Sequence, residues 1–207
     1  MNVLVIAPHP DDEVIGCGGA LCAHRDSGAQ ISVVFLTSGE LGLKHLPREQ
    51  AWAIRESEAR KAAKVLGVEK LNFLRCSDWT LEDEISKASE RLGPLLQEQS
   101  PDVIYVPHPI EAHPDHRVAL PIVQAAWQSC SFSAPAVRLY EVWTPLSSYD
   151  IVQDITEFMP QKLHALREHA SQLKDLDYVQ AVTGLNQYRG VMAGRCQFAE
   201  VFAQTSL

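Results

Sequence analysis

The amino-acid sequence predicts a three-layer, Rossmann-like α/β fold with a mostly parallel sheet flanked by helices. Three observations lead there. Apolar runs at residues 2–7, 31–36, 71–74 and 103–106 are continuous rather than alternating, the pattern of strands covered on both faces. Each run is followed by a longer stretch of helical character, so strands and helices alternate through the first two-thirds of the chain. Stop signals, namely Ser27-Gly28, Gly67 and Ser100-Pro101, separate these stretches.

Taken in order, residues 2–7 form the first strand and residues 14–27 a helix. The run Ile31-Ser32-Val33-Val34-Phe35-Leu36 is the second strand, closed by the turn Thr37-Ser38-Gly39-Glu40. A helix over 48–66 carries Ala51, Ile54, Ala62, Val65 and Leu66 on one side. Leu71-Asn72-Phe73-Leu74 is a short third strand, and Cys76-Ser77-Asp78-Trp79 a loop. A helix over 82–98, a strand over 103–106 and a helix over 118–127 complete the regular part. Beyond it, strands are expected at 136–142 and 150–152, a helix at 156–172 with Lys162, Arg167 and His169 on a solvated face, and a loop or short helix at 187–194. No repeat, low-complexity tract or linker interrupts residues 1–207, which read as one domain.

Composition narrows the function. A hydrophobic content of 46% with 21% charged residues is that of an ordinary globular chain. No apolar run approaches the roughly 20 residues needed to span a bilayer, and the start of the chain lacks a secretory signal pattern, so the expected location is cytoplasmic. A net charge of −8 argues against general affinity for nucleic acid but not against a neutral small molecule. The five cysteines are scattered without a Cys-x-x-Cys pair, which suggests neither a disulfide framework nor a thiolate metal site. The oligomeric state, homo-oligomer included, is not legible.

The chemistry concentrates at Ala7-Pro8-His9-Pro10-Asp11-Asp12-Glu13, where one imidazole and three carboxylates crowd the end of the first strand. Burying such a cluster is costly unless a cation, hydrogen bonds or water compensate. His9 and Asp12 are spaced so that both can reach one ion, with Asp11 facing an open coordination position. A second string, His113-Pro114-Asp115-His116, follows the fourth strand. In open α/β sheets ligands bind beyond the carboxyl ends of the strands, where both strings fall, along with Glu40 and Asp78. Two histidines and one carboxylate suit zinc, or another divalent first-row metal, with water in the open position and a neighbouring carboxylate to take its proton. The glycines of Gly16-Cys17-Gly18-Gly19 do not make a dinucleotide fingerprint: Leu21 replaces the third glycine, and Asp11, Asp12 and Glu13 would repel a pyrophosphate. No Gly-x-Ser-x-Gly elbow offers a nucleophile instead.

These two strings resemble the signature motifs of the PIG-L/LmbE-like family of metal-dependent N-deacetylases. Arg55-Glu56-Ser57-Glu58-Ala59-Arg60, running on to Leu66-Gly67, is similar to the family's arginine-bearing helix, and the resemblance extends from residue 2 to about 128, with weaker echoes at Arg189-Gly190 and Ala199-Glu200. The resemblance implies removal of an N-acetyl group from a glucosamine-type sugar. It implies His9, Asp12 and His116 as zinc ligands, Asp11 as general base, and His113 as the group that stabilises the oxyanion or protonates the leaving amine. Arg55 would hold the sugar, with Glu40 and Asp78 as further candidates. Some family members carry a tyrosine two residues before the first histidine of the second motif; here Glu111 stands there.

Other readings stay open at this level. Arg55 could pair with Glu58 or Glu49 along its own helix. The substrate could be a larger thiol-sugar conjugate cleaved at an amide, or the pocket could bind carbohydrate without turnover, although binding alone needs neither Asp11 nor His113.

Overall fold

Alternate residues of a strand point to opposite faces of its sheet, and in the first strand, β1 (Asn2–Ala7), both sets are buried. The structure, a computed structural model, describes residues 1–207. Beside β1 run β2 (Gln30–Thr37), β3 (Lys70–Cys76), β4 (Val103–Pro107) and β5 (Ala136–Tyr140), all parallel. Two further strands, β6 (Ile151–Asp154) and β7 (Ala199–Thr205), extend the sheet to the order β3-β2-β1-β4-β5-β7-β6, with β7 antiparallel to both neighbours.

Six helices cover the two faces: α1 (Asp12–Asp26), α2 (Arg48–Leu66), α3 (Ile85–Gln99), α4 (Pro114–Trp127), α5 (Met159–Glu168) and α6 (Tyr178–Arg189). Val3, Val5, Val33 and Phe35 pack under α1, α2 and α5. Leu4, Ile6, Val34 and Leu36 pack under α3 and α4. The chain runs outward from β1 to β3 and then crosses back to β4, so β1 and β4 are neighbours whose following loops leave in opposite directions. That reversal opens a crevice at the carboxyl edge, the usual ligand position in such sheets.

Helix boundaries match expectation at α2, where Gly67 closes the helix with φ 78°. Elsewhere the structure corrects them. α1 begins at Asp12 and α4 at Pro114, two and four residues earlier than expected, which puts Asp12 and His116 inside first turns. Ile54 is 38% exposed and does not join the buried side of α2. α6 and β7 were not expected, and of the loop or short helix expected at 187–194 the structure has the helical alternative, the end of α6 followed by a π turn at Gly190–Gly194. The glycines of α1 let neighbours approach closely: a Cβ on Gly16 would lie 2.1 Å from the Tyr140 ring.

The largest correction concerns Lys162 and His169, expected on a solvated face and both fully buried. Lys162 Nζ donates to Glu200 Oε1 at 2.7 Å and to the Ile15 carbonyl at 2.8 Å, while the Glu200 carboxylate also accepts from the Gly19 and Ala20 N–H groups. The pair ties α5 and β7 to α1, the helix that carries Asp12. Replacing Lys162 with methionine leaves a buried carboxylate without its cation, so stability should fall by about 3–5 kcal/mol. Urea unfolding measures this, and a loss below about 1 kcal/mol would show the pair is dispensable.

Candidate active site

The site grows from two loops at the crevice. Residues 8–11 leave β1 and residues 108–113 leave β4, and because β1 and β4 pair directly, His9 and His116 meet although 107 residues separate them. His9 Nδ1 lies 3.2 Å from His116 Nε2, and Asp12 Oδ2 lies 3.3 Å from each. Ligand bonds of about 2.0–2.1 Å arranged tetrahedrally set donor atoms about 3.3–3.4 Å apart. The three atoms therefore have the spacing of one face of such a tetrahedron, and all three residues line a cavity of about 500 Å³.

Carboxylates behind each histidine fix its orientation. His9 Nε2 faces Asp78 Oδ1 and Asp115 Oδ2, both at 3.1 Å, which keeps a hydrogen on Nε2 and turns Nδ1 toward Asp12 and His116. His116 Nδ1, otherwise without a partner, faces Glu111 Oε2 at 3.6 Å. Glu111 accepts N–H groups from Val142, Trp143 and Thr144 and lies 3.4 Å from His108 Nε2. Glu111, two residues before His113, thus backs His116 with a carboxylate. His9, Asp78, His113 and Asp115 also cluster closely enough to suggest a second cation position. Asp115, however, already accepts from the Trp79 and Leu81 N–H groups, so this cluster is a hydrogen-bond network behind His9.

The charges are poised for a cation. Burial opposes a charge on His9, yet Asp115, Asp12 and Asp78 hold its pKa well above the ordinary value. His116 is likewise disfavoured by burial but pushed up to about 9 by Asp12 and Glu111. Burial raises Glu111, and its bonds from His108 and His116 outweigh that, bringing it down to about 2. Positive charge is wanted at this point of the fold, and ring nitrogens of His9, His113 and His116 also lie close enough together to hold a metal ion.

Asp11 stands beside the triangle under restraint. It precedes the first turn of α1 with φ 130° and ψ −25°, a conformation that is costly for a residue with a Cβ. Its N–H donates to Glu13 Oε2 at 3.0 Å, and buried His169 lies 3.6 Å from the other Glu13 oxygen. Arg55 donates to Asp11 Oδ2 at 3.2 Å, to the Gly39 carbonyl at 2.9 Å and to the Pro10 carbonyl. Its ion-pair partner is thus Asp11, across the crevice, rather than Glu58 or Glu49 on its own helix. Burial pushes the Asp11 carboxyl up to about 6, against the pull of the Arg55 guanidinium.

His113 caps α4. Its Nδ1 accepts the Asp115 N–H at 3.2 Å, so in the neutral ring the hydrogen resides on Nε2. Burial, with His9 and His116 nearby, lowers its pKa to about 4. Trp79 and Trp143, each about half exposed, flank it with ring centroids 4.5 and 5.3 Å away. Trp79, Trp143 and His169 were not read as site residues from the sequence, and Asp115 and Glu111 were noted there without a role. Asp115 carried a local signal in its place between the two histidines, and Glu111 in its place two residues before the first of them.

Of the remaining sequence candidates, Asp78 lines the cavity but is engaged by His9 and by the Leu41 N–H at 2.8 Å. Glu40 is buried, accepts from Trp52 Nε1 at 3.0 Å and pairs with Arg48 at 3.3 Å, outside the cavity lining. That placement removes the reason for expecting it to touch a ligand directly.

A family model described as PIG-L, GlcNAc-PI de-N-acetylase, matches residues 4–127, a span holding both histidine strings and Arg55. The chain belongs to the PIG-L family. Among its curated relatives, the probable N-acetyl-alpha-D-glucosaminyl L-malate deacetylase 2 of Bacillus anthracis is 30% identical over 185 residues, covering 83% of this chain and 81% of the relative. The diacetylchitobiose deacetylase of Thermococcus kodakarensis is 30% identical over 194 residues, covering 84% of this chain and 71% of its own. Among solved structures, N,N'-diacetylchitobiose deacetylase from Pyrococcus horikoshii, complexed with its inhibitor MPG, superposes with a TM-score of 0.86 at 26% identity, over 99% of this chain and 83% of the other. That superposition takes in the β6 and β7 segments of this chain as well as its parallel strands. No helix of this chain is long and apolar enough to cross a membrane.

Proposed function

We propose that this PIG-L protein removes the N-acetyl group from an N-acetylglucosamine-type sugar or sugar conjugate, with zinc as its ion. The observation that carries the proposal is the triangle of His9 Nδ1, Asp12 Oδ2 and His116 Nε2, with edges of 3.2–3.3 Å, opening onto a cavity beside Asp11. Relatives named as deacetylases of malate and chitobiose conjugates support the same reading. Nitrogen and oxygen donors in a tetrahedral array favour zinc, although the set also suits other divalent first-row metals.

When bound, such an ion supplies Lewis-acid polarisation of the acyl oxygen and acidifies a water. The remaining work falls to the protein's own groups. Asp11, held by Arg55, accepts the proton of the attacking water. The oxygen adds to the acyl carbon while the neutral His113 donates a hydrogen bond from Nε2–H to the oxygen that gains charge, and the proton taken up by Asp11 passes to the amine as the C–N bond breaks. Acetate and a free amino sugar leave. Trp79 and Trp143 offer flat apolar walls to the pyranose ring, and Arg55 and Asp78 border the space for its hydroxyls. Residues 1–207 act as one domain, and the five unpaired cysteines fit a reducing cytoplasm.

Metal analysis of the purified protein, followed by amine release from N-acetylglucosamine, its methyl glycoside, diacetylchitobiose and malate and inositol conjugates, tests the proposal. One equivalent of zinc with turnover of at least one compound is expected. Metal without turnover across the panel would favour a carbohydrate-binding protein.

Arg55→Ala checks the restraint on the base. Removing the guanidinium frees Asp11 and deprives the cavity of a donor, so kcat should fall and KM should rise, each by about tenfold or more, with zinc retained. A change in melting temperature alone, with kinetics unchanged, would make Arg55 purely structural.

A further inference from the structure

Asp11 owes its place to a backbone held in an unfavourable shape. At φ 130° and ψ −25° a residue with a Cβ is strained, and such a conformation persists only where its surroundings over-determine it. The Asp11 carbonyl is fixed by the start of α1, accepting from the Val14 N–H at 3.0 Å and the Ile15 N–H at 2.9 Å. The peptide plane before it is gripped at both ends. Its Pro10 carbonyl accepts from Arg55 Nη2, and its Asp11 N–H donates to Glu13 Oε2 at 3.0 Å. Without these contacts φ can relax, and the carboxylate carried by that Cα loses its fixed position at the cavity.

Glu13 does not make this grip alone. It is 2% exposed, and besides the Asp11 N–H its carboxylate has one polar neighbour, His169 Nε2, 3.6 Å from Oε1. At that distance the contact is one of charge rather than a hydrogen bond. His169 is fully buried and neither of its ring nitrogens has a hydrogen-bond partner, so the ring serves no other polar group. Burial disfavours a charge on it, yet Glu13, with Asp11 beyond, holds its pKa above the ordinary value. A buried carboxylate stripped of such a partner takes up a proton or turns away.

The imidazole is itself held in place. His169 follows α5 directly, its N–H on the Leu166 carbonyl at 3.1 Å, and Ser171 donates through its N–H and hydroxyl to the Glu58 carboxylate at 2.8 and 2.6 Å. Glu58 lies on α2 three residues after Arg55. One helix thus grips the carbonyl end of the peptide and anchors the segment that secures the amide end.

We infer that His169 is a positioning residue for the proposed base: through Glu13 it pins the Pro10–Asp11 peptide and so holds the Asp11 carboxylate at the cavity. The inference rests on the reading of Asp11 as base and adds the device that places it. His169 lies outside the cavity lining, so its loss should act on turnover and not on sugar or metal binding.

Residue-resolved amide exchange reads the pin without turnover, and amine release from an N-acetylated sugar reads its effect. In His169→Leu the Asp11 N–H should exchange at least about tenfold faster than in the parent, kcat should fall about tenfold or more, and KM and metal content should stay within about twofold. Glu13→Ala should do the same, leaving behind a histidine free to shed its proton. His169→Gln, whose amide can carry a donor to Glu13, should recover kcat to within about threefold of the parent. Adding His169→Leu to Glu13→Ala should change kcat and Asp11 exchange by less than about twofold, because the histidine acts only through Glu13. Where the unpaired carboxylate keeps His169→Leu from folding, the comparison is made within Glu13→Gln, which leaves no charge unpaired; adding His169→Leu there should speed Asp11 exchange by about tenfold. Asp11 exchange unchanged by His169→Leu, with turnover intact, would overturn the inference and leave the deacetylase reading standing. A parent protein without turnover of any sugar, but with faster Asp11 exchange in His169→Leu, would do the reverse. A His169→Gln no more active than His169→Leu, or a second loss of about tenfold when His169→Leu is added to Glu13→Ala, would reduce His169 to packing and also overturn it.

Discussion

Replacing Asp11 with asparagine should leave metal occupancy close to that of the parent protein and reduce turnover by about a hundredfold or more. The substitution is chosen for its backbone as well as its chemistry. Asp11 holds φ 130°, and Asn is among the few residues that tolerate positive φ, whereas alanine there would confound catalysis with strain. The amide oxygen can still accept from Arg55, and one negative charge is removed from beside Asp12 and Glu13, so the fold should persist. What the amide cannot do is accept the water's proton. Asp11 takes no part in the ligand triangle, which is why metal and turnover should separate. Metal analysis with amine-release kinetics on the same preparation reads both, and a mutant within about threefold of the parent would exclude Asp11 as the base.

The second large effect divides two chemically identical side chains. His116→Ala removes one corner of the triangle, so occupancy should fall sharply and activity with it. His113→Ala should keep the metal and lose turnover by roughly 10²–10⁴, the range for a lost general acid or oxyanion donor. The geometry behind this contrast is specific. His116 Nε2 lies within 3.3 Å of both His9 Nδ1 and Asp12 Oδ2, whereas His113 spends its Nδ1 on capping α4 through the Asp115 N–H. Losing that cap should also lower stability by about 1 kcal/mol, so unfolding and kinetics must be measured together. If His113→Ala loses zinc while His116→Ala keeps it, the two roles are exchanged.

Local pattern was sufficient where a residue's fate depends on its neighbours in sequence. Continuous apolar runs identified the parallel strands because both faces of β1, β2 and β4 are covered, and Gly67 marked the end of α2 through its positive φ. The two histidine strings were legible because a spacing of three residues within each loop brings chemically suited side chains together, and because loops after parallel strands share one edge. Those are short-range facts, and the resemblance to PIG-L motifs rests on them too.

Tertiary structure alone decided the partners of buried charges. Arg55 reads as a member of a charged helix face until Asp11, 44 residues earlier, is brought against it. Lys162 and His169 read as solvated because charge usually is; Glu200 and Glu13, supplied from β7 and α1, make their burial possible. Asp78, Asp115 and Glu111 take their places behind His9 and His116 only once loops after β1, β3 and β4 converge. The antiparallel insertion of β7 between β5 and β6 was equally invisible, since an edge extension pairs strands by contacts distant in sequence. A buried ionic group is tolerated only when its counter-charge arrives, and that arrival is set by how the whole chain packs, not by the residues beside it.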